Sequence, residues 1–113
     1  MLAERERGLV ERGNPGLRAL LHLAQGEIAF AAGDLPAARA QFAKASALWT
    51  DDLPDPESVE ARAYLGLIDG LAGRKDQGRT LVRQSLAKAE AMGHVGLQEQ
   101  CRRFLAQIDA ARN

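Results

Sequence analysis

Apolar and small residues recur at Leu17, Leu20, Leu21, Ala24, Ile28 and Ala31, at the three- and four-residue intervals of an α-helix with one buried face. Asn14 and Pro15 start that helix, a capping side chain followed by a residue that needs no amide partner in the first turn. Gly33 ends it, because glycine accepts the left-handed backbone common just past a helix. Asp34 can cap a second helix, which tolerates Pro36 near its start and carries Ala38, Phe42, Ala45 and Trp49 on one face. The plan then returns: Asp55 and Pro56 as start signal, Val59, Leu65, Ile68 and Leu71 as one face, Gly73 as stop, a further helix through Leu81, Val82, Leu86 and Ala89, and Gly93 as its end. A last helix is predicted from about Val95 to Ala111. Between the two pairs, "TDDLPDPE" at 50–57 has two prolines and four acids and reads as a solvated linker.

The return is a repeat in one register without gaps. Gly26 falls on Gly66, Ile28 on Ile68, Ala32 on Ala72, Gly33 on Gly73, Arg39 on Arg79 and Ala47 on Ala87. The same offset carries Arg62 onto Arg102, Leu65 onto Leu105, Ile68 onto Ile108 and Asp69 onto Asp109. It predicts one all-α domain over residues 1–113: a hairpin at 14–50, a second at 55–92 and a capping helix at 95–111. Residues 2–12 match the tail of a preceding helix, with Leu2 over Phe42 and Leu9 over Trp49.

Within each unit the glycine, turn glycine, alanine, large apolar residue and second alanine resemble the tetratricopeptide repeat. Gly26 and Gly66 match the motif glycine, Ala38 the first alanine, Phe42 the aromatic residue, Ala45 the second alanine and Leu65 the leucine. His22 and Arg62 stand where tryptophan is usual, Gln25 replaces the first leucine, and Ala29 and Asp69 replace tyrosine. Gly78 and Val82 dilute the second unit. The fold this resemblance implies is a stack of antiparallel helical hairpins, an α-solenoid segment, in which small residues let paired helices approach. Arrays rich in Ala, Arg and Gly are similar to those joined to bacterial signalling proteins.

The resemblance also implies a concave groove lined by the first helix of each unit. Its positions fall on Leu20, Leu23, Glu27 and Phe30 in the first unit, on Glu60, Ala63, Leu67 and Leu71 in the second, and on Gln100, Arg103 and Gln107 in the third. The work implied is noncatalytic binding of a protein partner, a peptide or amphipathic helix laid on an apolar floor. Phe30→Ala combined with Leu67→Ala is then expected to abolish binding and leave helicity intact. Clamping of a chain-terminal carboxylate is disfavoured, since Leu23 and Glu27 occupy places where that chemistry needs cations. The alternatives are self-association as a homodimer through the same groove, and a regulatory segment of a larger signalling protein.

Charge and candidate chemistry change this picture little. Lys plus Arg and Asp plus Glu number 15 each, so no net field favours nucleic acid or an anionic membrane. The start of the chain alternates acids and bases, and no run is long enough to span a bilayer, so a soluble cytoplasmic protein is expected. Cys101 is the one cysteine and matches apolar positions, which reads as a buried thiol. His22 and His94 lack partners at helical metal-site spacing and read as surface residues, so neither a metal nor a cofactor is expected. No nucleophile, base and stabilising donor converge in the pattern, so no enzyme activity is expected. Arg74, Lys75, Arg79 and Arg83 place cations along one helix and its leading turn.

Overall fold

In the computed structural model, residues 15–50 and 55–111 are described. The expected leading helix at 2–12, the Asn14 cap and linker positions 51–54 lie outside the described residues. Five helices follow in order: α1 (Pro15–Ala31), α2 (Leu35–Ser46), α3 (Pro56–Leu71), α4 (Lys75–Met92) and α5 (Val95–Ala110).

The three turns are built alike. Gly33, Gly73 and Gly93 have φ of +80°, +99° and +69°, a region in which a β-carbon is strained. Each turn closes with an amide reaching back five residues, Asp34 to Ala29, Arg74 to Asp69 and His94 to Ala89, all at 2.9 Å. This bond satisfies a carbonyl that the helix end leaves unpaired. Two of these turns, and the linker before α3, lead into a side-chain cap, whereas Arg74 at the start of α4 makes none. Asp34 accepts from the Ala37 amide at 3.2 Å and Asp55 from the Ser58 amide at 2.8 Å. His94 accepts the Leu97 amide on Nδ1 at 3.0 Å, so this histidine is a capping residue as well as an exposed one. Pro36 and Pro56 sit in the first turn of their helices, where no amide donor is required.

Helix α1 packs on α2 and α3 on α4, α2 packs on α3 and α4 on α5, and α1 meets α3 as α3 meets α5. The chain is all-α, and its hairpins lie in series. Glycine makes the pairing close. A β-carbon on Gly26 would lie 2.5 Å from the Phe42 ring, and one on Gly66 would lie 2.6 Å from the Gly78 carbonyl. Gly78, expected to dilute the second hairpin, makes its tightest crossing: a β-carbon there would lie 2.7 Å from the Gly70 amide nitrogen.

Repeat-equivalent residues also join the hairpins. Arg39 on α2 binds Asp69 on α3 at 3.0 Å, and Arg79 on α4 binds Asp109 on α5 at 2.7 Å. Ile68 and Ile108 are buried at 3% and 0% exposure, while Ile28, with no preceding unit described beneath it, is 72% exposed. Helix α2 ends at Ser46, short of the Trp49 expected from periodicity. The Trp49 ring still packs against the core beyond the helix end, and it is covered as well by the Arg62 guanidinium at 4.0 Å, whose Nε donates to Ser46 Oγ at 3.0 Å.

Candidate functional site

Helices α1, α3 and α5 stand at equivalent positions of the sequence repeat, and α3 touches both of the others. Helix α3 lies between the other two, so its inner residues are enclosed on both sides. Ala63 and Leu67 are therefore core residues at 0% and 2% exposure, packed with Val82, Phe104 and Ile108. Leu23 likewise joins Ala38, Phe42 and Ile68 in the first core. These three expected groove residues hold the fold together and present no surface. Leu67→Ala would hollow the core, at roughly 2–5 kcal/mol, so its pairing with Phe30→Ala would test stability and not binding.

Other expected residues remain available. Leu20 and Leu71 are 48% and 40% exposed, Glu27, Arg103 and Gln107 are exposed, and Phe30 is half-buried. The residue that organises the face, Tyr64, was not among those expected. Its ring stacks on Phe42 at 4.4 Å, meets the edge of Phe30 at 5.7 Å and tilts against Phe104 at 5.0 Å, so it ties α3 to α1, α2 and α5. Tyr64 lies one helical turn from Glu60 and on the repeat position of Phe104, which are the two signals that could have found it.

Around the Tyr64 hydroxyl end the face is acidic. Gln100 donates from Nε2 to Glu60 Oε2 at 3.0 Å. Although Glu27 is exposed, the partial loss of hydration where it lies against the face, and then the neighbouring Glu60, raise its carboxyl above its ordinary range. Burial, reinforced by Glu27 and Glu60, pushes the Tyr64 phenol up to about 12 despite a hydrogen bond with Gln100. Neither carboxylate has an ion-pair partner among the described residues. Two like charges are thus held beside aromatic surface, an arrangement that a cation would relieve.

The remaining candidate chemistry is structural. Cys101 is fully buried, and burial, with help from Glu60, pushes its thiol up to about 11, away from the nucleophilic thiolate. His22 is half-buried and hydrogen-bonds through Nδ1 to Gln41 Oε1 at 2.9 Å. Of the cations on α4 and its leading turn, Arg79 bridges Asp76 and Asp109, Arg74 binds Asp69, and Lys75 reaches the Ala111 carbonyl at 2.5 Å, so these three serve helix junctions. Among the described residues no group of three or more His, Cys, Asp or Glu could hold a metal ion, and no helix is long and apolar enough to cross a membrane. Comparison with protein-family models, curated proteins and solved structures finds no match to this chain.

Proposed function

We propose that the chain is a noncatalytic interaction module of the tetratricopeptide type, and that its inner face receives a partner helix or peptide carrying basic and apolar side chains. The observation that carries this reading is the Glu27 and Glu60 pair beside Phe30 and Tyr64, with Glu27 raised by burial and by its like-charged neighbour. Such a pair weakens the isolated domain and strengthens a complex in which a lysine or arginine lies between the carboxylates. The half-buried Phe30 and Tyr64 rings offer the flanking apolar residues of that partner a floor.

The test uses a fluorescent amphipathic helix of lysine and leucine and its glutamate and leucine counterpart, followed by anisotropy. The basic peptide is expected to bind, Glu27→Lys to weaken it by about tenfold or more, and Phe30→Ala to weaken it by a smaller factor. Equal binding of both peptides, or indifference to Glu27→Lys, would reject the site.

A second reading, self-association, is supported by a different observation. Ile28 is bare at a position whose equivalents, Ile68 and Ile108, are buried, so the first hairpin offers an end on which another helical surface can stack.

A further inference from the structure

At the junction of the two hairpins the Asp69 side chain is fully buried and receives two arginines. Arg39 grips it with a fork, Nε to Oδ1 at 3.0 Å and Nη2 to Oδ2 at 3.2 Å, and Arg74 adds Nη2 to Oδ1 at 2.8 Å. One carboxylate and one guanidinium would already be balanced. The equivalent junction in the next unit has the opposite surplus, with Arg79 alone between Asp76 and Asp109. Arg74 is therefore an extra cation at the first junction, and its side chain is 49% exposed. Its Nε and Nη1 have no partner among the described residues.

Beside this surplus lies a cleft of about 270 Å³, lined by Leu35, Pro36, Ile68 and Ala72 together with the two arginines. We infer that this cleft binds a small monocarboxylate with an aliphatic or aromatic tail, the carboxylate on Arg74 and the tail on the Leu35, Pro36, Ile68 and Ala72 walls. Charge selects the sign of the ligand, because the clasp as a whole carries one net positive charge. Size selects its class, because the cleft falls below the roughly 300–1,000 Å³ of sites for larger ligands. The tail then contributes by leaving water, and the walls are apolar enough to receive it. This site is separate from the acidic inner face and does not depend on the reading given to that face.

The probes are 4-methylpentanoate, its uncharged amide, and a short peptide ending in leucine with a free carboxylate, titrated into the isotope-labelled chain by NMR. The acid is expected to shift the Leu35, Ile68 and Ala72 signals saturably, and the amide is expected to leave them unmoved. Arg74→Met keeps the apolar stem, leaves Arg39 on Asp69, and is expected to weaken the acid by about tenfold. Arg83→Met, removing an exposed cation elsewhere on α4, is expected to change nothing. A thermal melt confirms that each variant is folded. Equal shifts from acid and amide, absence of saturation, or full binding by Arg74→Met would each overturn the inference. Binding of the peptide with none of the free acid would overturn it too, by making the ligand a chain terminus.

Discussion

Where α3 crosses α4, no room remains for one methyl group. A β-carbon on Gly78 would meet the backbone of Gly66 and Gly70, which cannot swing aside as the end of a side chain can. Gly78→Ala is therefore expected to destabilise the chain by roughly 1–3 kcal/mol, even though alanine is the better helix former. Gly96→Ala supplies the contrast: its nearest neighbour is the His94 ring at 3.7 Å, so the helix propensity gain of roughly 0.5–1 kcal/mol should appear as added stability. Chemical denaturation of both variants checks the pair, and the same sign for both would contradict this account of the crossing. Gly26 and Gly66 were legible because they repeat in register, and a repeated glycine within a helical pattern signals close approach. Gly78 was not, because its partner in the first unit is Ala38: the repeat preserves small size there and not residue identity.

Among the elements, the helix limits were read from local chemistry that the structure keeps: Pro15, Asp34, Asp55 and the three turn glycines act where periodicity put them. Helix α2 stops at Ser46, before Trp49, which reaches the core from the following turn and is covered from outside by Arg62, distant in sequence. The ties between helices were written in the repeat as Arg39 with Arg79 and Asp69 with Asp109, yet pairing one set with the other requires the fold. Asp69 shows what such a tie contributes. Burial alone would raise its carboxyl, but hydrogen bonds from Arg39 and Arg74 prevail and hold it below the ordinary 3.8. A carboxyl lowered on folding adds stability above its unfolded value and loses it as pH falls through the folded one. Asp69→Asn is expected to cost roughly 1–3 kcal/mol at neutral pH and to show a smaller further loss on acidification than the parent. Thermal melts across the acid range check this, and parallel curves for parent and variant would contradict it.

For the molecule as a whole, serial stacking explains why the inner face was only partly legible. A face read from one helix at a time takes Leu23, Ala63 and Leu67 as surface, but each further helix set beside α3 turns part of that surface into core. What remains outward is acidic and aromatic, with Tyr64 at its centre, and it was obscured because its members, Glu27 and Phe30, Glu60 and Tyr64, and Gln100, come from three helices. Serial stacking also leaves Ile28 bare, and this separates the two functional readings. If self-association through that end operates, sedimentation should show a dimer that Ile28→Glu returns to monomer. A monomer at all concentrations would remove that reading and leave the inner face unaffected. The proposed binding role rests on a Glu27 carboxyl raised first by loss of hydration and then by Glu60, both of which a basic partner would offset. Carboxyl titration of Glu27 by NMR, in the free chain and with the lysine and leucine helix at saturation, tests this most directly. The predicted result is a titration above the ordinary 4.5 in the free chain and a fall on binding; an ordinary value in the free chain, or one unmoved by the bound peptide, would contradict it.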